Sequence, residues 1–202
     1  VIAGYLVALR MKGETVDEIT GSVKAMMEAA VRIRCGSKVI VDTCGTGGDA
    51  QNGFNISTAA AIVVSAAGFT VAKHGNKSVS SACGSADLLE ALGVPIGQQP
   101  EEICSNLEEK KFAFMFAPMM HPAMKHAMPV RKALGVKTIF NILGPLANPA
   151  GANVQLIGVF SENLVDKVSQ VLPKIGVTHG MVVHGSGFDE ITVSGETCLL
   201  YT

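Results

Sequence analysis

Apolar and polar positions change period once along the chain. Up to residue 34 the spacing is helical: Tyr5, Leu6, Leu9 and Met11 precede Gly13, and Ile19, Val23, Met26, Met27 and Ala30 share one face of a second helix expected from about Val16 to Ile33. Between them, Thr15-Val-Asp-Glu18 has the spacing of a capping box, in which Thr15 and Glu18 satisfy each other's backbone N–H groups. From Ser37 onward short apolar runs alternate with helical segments. Strands are expected at Val39 to Asp42, Phe69 to Lys73, Phe112 to Phe116, Gln155 to Phe160 and Gly180 to Val183. Helices are expected at Ile56 to Ala67, stopped by Gly68; at Ser85 to Leu92, stopped by Gly93; at Glu101 to Lys110, opened by Pro100; and at Glu162 to Ile175. Met119 to Leu134 interrupts this rhythm with prolines and helically spaced methionines, and reads as an excursion toward the first helices. Alternation resumes at Thr138 to Leu143, before a turn-rich GPLANPAG. Such an order specifies an α/β fold with a mostly parallel central sheet and right-handed crossovers.

Composition narrows the possible partners. Acidic and basic residues nearly cancel (17 against 16, formal charge −1), so nothing draws the whole molecule toward nucleic acid or a membrane surface, and an anion site must be local. The longest apolar run, Ile56 to Ala67, is broken by Ser57, Thr58 and Ser65 and falls short of a membrane span. Five cysteines without a C-x-x-C pair suit free thiols in a reducing compartment and no zinc site. The chain opens inside a helical pattern without an initiator methionine and closes on an apolar LLYT, as expected of a piece of a longer polypeptide.

The densest chemistry lies between Val39 and Asn76. A β-branched run leads into Gly45-Thr-Gly-Gly-Asp49, and a small-residue helix follows with Asn55, Ser57 and Thr58 at its mouth. Glycines permit positive φ and close approach of backbone to ligand, while the first turn of a helix presents unpaired N–H groups and the positive end of its dipole. The loop is neither G-x-G-x-x-G nor a P-loop, and glycine also serves tight turns for geometry alone. Asp49 would repel a phosphate unless a metal or a sugar hydroxyl intervened. The next strand ends in Lys73-His-Gly-Asn-Lys77, followed by Ser78, Ser80, Ser81 and Ser85. Two such loops leave the same edge of a parallel sheet, so Lys73 and Lys77 are expected to face the glycine loop across a crevice. Asp189-Glu190, at a third loop on that edge, reads either as a solvated pair or, beside polyphosphate, as hard-oxygen ligands for Mg²⁺. His121 and His126 are poorly spaced for a shared metal, and His179 and His184 flank a strand and read as structural. His74 and His121 remain candidates for ligand contact. Arg131, on the helical excursion, offers a planar fork suited to a carboxylate.

These residues also carry a resemblance. Gly45-Thr-Gly-Gly-Asp49, Asn55-Ile-Ser-Thr58, Lys73-His-Gly-Asn76, Gly84-Ser-Ala-Asp87, His121-Pro-Ala-Met-Lys125, Val130-Arg-Lys-Ala-Leu-Gly135, Ile139-Phe-Asn-Ile-Leu-Gly-Pro-Leu146 and Asp189-Glu190 together resemble the anthranilate phosphoribosyltransferase family of tryptophan biosynthesis, in order over nearly the whole chain. The resemblance implies a small helical domain (residues 1–36, joined by the excursion around 119–135) and a larger α/β domain (37–202), with phosphoribosyl pyrophosphate (PRPP) in the cleft between them. It implies donor contacts from Gly45, Gly48, Asp49, Gly53, Asn55, Ile56, Ser57, Thr58, the run Lys73, His74, Gly75, Asn76, Lys77, Ser78, Val79, Ser80, Ser81, and Ser85. Two Mg²⁺ ions are implied, one on Ser57 and Glu190 and one on Asp189 and Glu190. Gly45, Asn76, His121 and Arg131 would meet anthranilate, and Lys73, Asp189 and Glu190 are favoured for catalysis by position and charge. Family members usually carry Thr or Ser where this chain has Gly53, and Arg where it has Lys77. A homodimer through the helical domain is implied, with a cytoplasmic location, or a plastid one in a plant or alga. Two rival readings are a pyrimidine nucleoside phosphorylase and a non-catalytic nucleic-acid-binding relative of the same fold.

Overall fold

Thr15 starts the second helix as its spacing predicts: the Glu18 backbone N–H donates to Thr15 Oγ1 at 3.2 Å and the Thr15 N–H to Glu18 Oε2 at 2.9 Å. The computed structural model describes residues 1–48, 54–78 and 83–202. It opens with α1 (Ile2–Lys12) and α2 (Val16–Glu28), then runs β1 (Val41–Gly45), α3 (Ile56–Ala66), β2 (Val71–Gly75), α4 (Ser85–Ala91), α5 (Pro100–Glu109) and β3 (Phe112–Phe116). The excursion is α6 (Ala117–Met120), a 3₁₀ turn and α7 (Met128–Leu134). Then follow α8 (Phe140–Leu146), β4 (Val154–Gly158), α9 (Asn163–Val171), β5 (His179–Gly185) and β6 (Thr197–Tyr201).

The strands form a six-stranded sheet in the order β3-β2-β1-β4-β5-β6, parallel throughout except for β6 against β5. Strand order reverses direction between β1 and β4, the position where α/β sheets open a crevice beyond their carboxyl ends. Register keeps those ends level: Gly45 lies beside Gly158, and Gly75 beside Phe116.

Alternation along the strands sorts the helices onto two faces. On β3, Phe114 packs with Ala86 and Leu89 of α4, whereas its neighbour Met115 packs with Ile103 and Leu107 of α5. Val41 and Val71 pack with Ala61 of α3. The largest cluster joins Leu6, Leu9, Ile19, Val23 and Met27 of the first two helices to Leu143 of α8, Val165 and Val168 of α9, and Ile157 and Val182 of the sheet. The amino-terminal helices therefore pack directly on the α/β core.

Several boundaries differ from the sequence expectation. The second helix stops at Glu28 instead of about Ile33, because Val31 and Ile33 spend their N–H groups on Met120 and Pro149 carbonyls at 2.8 and 3.1 Å. β1 and β2 run past Asp42 and Lys73 to Gly45 and Gly75, since pairing with the next strand continues after the β-branched residues end. Thr138 to Leu143 contributes to a helix that keeps Pro145 within it. β6 had no signal beyond the apolar LLYT; it pairs antiparallel with β5, Gly185 opposite Thr197, after a segment that opens on a tight turn in which Gly185 and Phe188 exchange 3.0 Å backbone bonds and Ser186 and Gly187 are at positive φ.

Candidate active site at the carboxyl edge of the sheet

Four chain segments meet where β1, β2, β4 and β5 end. The glycine loop is held by its neighbours: Thr46 N–H donates to Gly158 O at 2.8 Å, Phe160 N–H to Thr46 Oγ1 at 3.0 Å, and Gly47 N–H to Asp189 Oδ2 at 2.7 Å. Gly47 and Gly48 have φ of 64° and 77°, the left-handed region that favours glycine. A Cβ on Gly45 would overlap the Asp189 carboxylate, and one on Gly158 would overlap the Asp189 main-chain carbonyl. Glycine at those two strand ends is thus what lets the Asp189-Glu190 segment lie against the sheet edge.

Asn55 caps α3, with Oδ1 accepting from Thr58 N–H at 3.3 Å. The Ser57 carbonyl accepts from Thr43 Oγ1 at 2.7 Å, tying the helix start to β1, and Ser57 Oγ lies 3.5 Å from Asn55 Oδ1. Ile56 is exposed and Thr58 buried. On β2, Lys73 is fully buried: its Nζ donates to Thr43 O at 2.6 Å and to Ser57 Oγ at 3.4 Å. The lysine expected to face the glycine loop across open space instead lies beneath it, because β2 directs this side chain inward toward β1.

Behind Lys73 is a polar network that sequence reasoning missed. Asp42 is buried, accepting from His74 N–H at 3.3 Å and from Asn148 Nδ2 at 2.7 Å, while Asn148 also donates to Ala72 O at 2.9 Å. Burial pushes the Asp42 carboxyl up to about 6, opposed by the charge of Lys73 and by those hydrogen bonds. An aspartate inside a β-branched run, as in VIVDT, was the available signal. Cys44 is pushed up to about 12, by burial first and then by the negative charge of Asp42, Asp189 and Glu190 around it.

Past β2 the chain turns tightly. A Cβ on Gly75 would meet the Phe114 ring at 2.9 Å and Ser85 Cβ at 3.1 Å. Asp87 accepts from Ser78 N–H at 2.8 Å and Gly84 N–H at 2.9 Å, which fixes both ends of the following loop and keeps its own carboxyl below the usual range. Asn76 is exposed, with its Oδ1 accepting from Lys77 N–H at 2.8 Å, and Lys77 reaches away to Glu90 at 3.0 Å. Ser85 opens α4. Asp49, Gly53, Val79, Ser80 and Ser81 lie outside the described residues.

His74 and His121 meet in the interior, their rings 5.0 Å apart and edge-on. His74 Nδ1 donates to Gly144 O at 3.1 Å and His121 Nε2 to Ala147 O at 3.0 Å, which fixes both tautomers. Among the described residues, His74 Nε2 and His121 Nδ1 have no hydrogen-bond partner. Burial lowers both, His74 to about 3, with its neighbour's charge adding to the effect. Arg131 is half-buried on α7, its guanidinium 5.4 Å from the Phe140 ring centre and 3.7 Å from Met128 Sδ.

The arrangement offers backbone N–H groups, a buried lysine, a hydroxyl at a helix start and two adjacent carboxylates around one crevice, a set suited to a phosphorylated sugar. Residues 37–201 match the model of a glycosyl transferase family α/β domain, and residues 1–30 that of the family's helical bundle domain. The anthranilate phosphoribosyltransferase of Geobacter sp. (strain M21) is 54% identical over 211 residues, covering 97% of this chain and 60% of the relative. That of Alkaliphilus metalliredigens (strain QYMF) is 56% identical over 197 residues, covering 97% and 58%. Among solved structures, anthranilate phosphoribosyltransferase from Thermus thermophilus superposes with a TM-score of 0.95 at 48% identity, over 98% of this chain and 60% of that one. The Saccharomyces cerevisiae enzyme in complex with PRPP and Mg gives 0.93 at 33% identity, over 99% and 57%. The chain thus spans about 60% of the length of its curated relatives. With both domain models matched, the chain belongs to the glycosyl transferase family, and over almost all of its residues it is similar, at about half identity, to anthranilate phosphoribosyltransferases.

Proposed function

We propose that this chain carries the donor-binding and catalytic portion of an enzyme transferring the 5-phosphoribosyl group of PRPP to the amine of anthranilate. The observation that carries this reading is the meeting of the glycine loop with Asp189 at the end of β1, beside the capped start of α3. The Saccharomyces cerevisiae enzyme of like fold holds PRPP and Mg in one structure and 4-fluoroanthranilate in another, which favours transfer over phosphorolysis or nucleic-acid binding.

In this reading residues 1–36 with the 119–135 excursion form the smaller domain and 37–202 the larger, with the substrates between them. The donor lies over Gly45, Gly48, Asn55, Ser57 and Thr58, and along the loops bearing Asn76, Ser78 and Ser85. Gly45, Asn76, His121 and Arg131 face anthranilate. Ser57, Asp189 and Glu190 are oxygen donors, the chemistry Mg²⁺ selects. Among the described residues no three His, Cys, Asp or Glu side chains group as a metal cage. Ser57 with Glu190 would hold one Mg²⁺ and Asp189 with Glu190 a second, and the metal would supply positive charge against the pyrophosphate.

In the reaction a bond forms from the anthranilate nitrogen to ribose C1 as the bond from C1 to the pyrophosphate oxygen breaks, and the nitrogen's surplus proton then passes to solvent. Anthranilate's amine is neutral at pH 7, so attack requires orientation more than deprotonation, and Arg131 supplies it by gripping the carboxylate. Lys73 contributes from below through Ser57 and the end of β1, and Gly47 keeps Asp189 aimed at the crevice. The working protein is a cytoplasmic homodimer joined through its helical domain. Among the described residues no helix is long and apolar enough to cross a membrane.

The test follows the loss of anthranilate fluorescence with PRPP and Mg²⁺. Asp189→Asn should lower kcat by at least about a hundredfold, the range typical of a lost electrostatic group, while Arg131→Ala should chiefly raise the KM for anthranilate. Phosphorolysis of uridine or thymidine without anthranilate turnover would overturn the reading.

A further inference from the structure

Lys137, in the link between α7 and α8, has no part in the site as described so far. Its Nζ donates to Gly48 O at 2.6 Å and lies 3.8 Å from the centre of the Phe160 ring, while its own carbonyl accepts from Arg10 Nη1 at the end of α1. Gly48 is at a φ of 77°, and a Cβ there would come within 3.3 Å of Lys137 Cε. Two peptides earlier, Gly47 N–H is held by Asp189. The glycine loop is therefore fastened on both sides, by a carboxylate on an N–H and by an ammonium on a C=O.

Chemistry explains why the second fastening matters. A loop that binds phosphate must turn its N–H groups toward the ligand and its carbonyls away, since a carbonyl dipole aimed at an anion repels it. A cation on Gly48 O keeps that carbonyl turned toward the lysine and offsets its partial negative charge. Seating the ammonium on the Phe160 face limits the positions it can take. Phe160 N–H in turn binds Thr46, so the ring that seats Lys137 belongs to the residue that anchors the loop's start.

We infer that Lys137 is a positioning residue for the phosphorylated donor, and that Arg10 couples its placement to the amino-terminal helix. This rests on the transferase reading for the identity of the donor, though not for the fastening itself. Among the described residues, Arg10 of α1 is bonded to the Lys137 carbonyl, and Asp189 is bonded to Gly47 of the same loop.

Two measurements on the 202-residue chain test this. The first is backbone hydrogen exchange over residues 43–48 in the wild type, Lys137→Ala and Lys137→Arg. Lys137→Ala should raise exchange at Gly47 about tenfold without changing exchange in β4 or α9, and Lys137→Arg should retain protection. The second is a KM-against-kcat split. Lys137→Ala should raise the KM for PRPP about tenfold, leave that for anthranilate within about twofold, and be rescued by Lys137→Arg; Arg10→Ala should give a smaller rise in the same direction. Unchanged exchange together with an unchanged KM for PRPP would overturn the inference, as would an equal fall of kcat, both KM effects and Tm, which marks a merely structural residue. Lys137-dependent protection in a protein that phosphorolyses uridine or thymidine and does not consume anthranilate would overturn the transferase reading alone.

Discussion

At the residue scale the site is defined by groups whose charge is decided by burial. His74 is neutral because solvent is excluded, and its Nδ1 proton is committed to Gly144. Its value of about 3 in the fold, against 6.5 when exposed, means that the unfolded chain takes up a proton first as pH falls. Stability from this residue is therefore full above pH 6.5 and is lost progressively toward pH 3. Asp42 has the opposite sign: raised from 3.8 to about 6, it takes up its proton in the fold first, so it adds stability as pH falls between those values. His121, also lowered, acts with His74. The two histidines outweigh the single aspartate, and urea unfolding should show lower stability at pH 5 than at pH 7.5. His74→Gln keeps an amide donor for Gly144 without a titrating proton, and should reduce the slope between pH 6 and 5 by about 1.4 kcal/mol per pH unit. An unchanged slope would contradict a neutral buried His74.

At the element scale, most of the fold was legible in hydrophobic spacing, and the exceptions have physical causes. Helix types and the parallel order followed from periods that packing confirms, as with Phe114 and Met115 facing different helices. Strand ends were less legible, because Gly45 and Gly75 carry no β preference yet are held in the ladder by their partners. β6 was invisible because an edge strand paired on one side needs little apolar signal. The site's main motifs were readable, since glycine, lysine and paired acids have few structural reasons to recur at strand ends. Their orientations were not: whether Lys73 points out or in depends on the pleat, and Asp42 and Asn148 are polar partners far apart in sequence. Local rules are testable where they are isolated. Thr15→Ala removes one side of the α2 capping box and should cost about 1 kcal/mol in chemical denaturation. A loss below about 0.3 kcal/mol would show that the terminus is held by packing instead.

At the scale of the whole molecule, the two amino-terminal helices and the α/β layers share one core cluster. Ile19 is fully buried in it, between elements that a domain boundary near residue 36 would separate. Ile19→Ala should therefore cost about 2–5 kcal/mol and lower a single unfolding transition. Two resolved transitions, one for the helices and one for the sheet, would instead mark independent units. The near-neutral net charge gives the molecule little long-range attraction for an anionic substrate. What it has is Lys73, sealed beneath the crevice where dissolved ions cannot crowd around it. Counterions screen exposed charges over about 8 Å at physiological ionic strength but reach buried ones much less. If PRPP is the donor, as proposed, its binding should accordingly tolerate added salt, with affinity changing little from about 50 to about 500 mM sodium chloride, whereas a steep decline would assign the attraction to rim cations such as Lys77. On that outcome the site's attraction for its ligand would be the same in dilute and in concentrated surroundings.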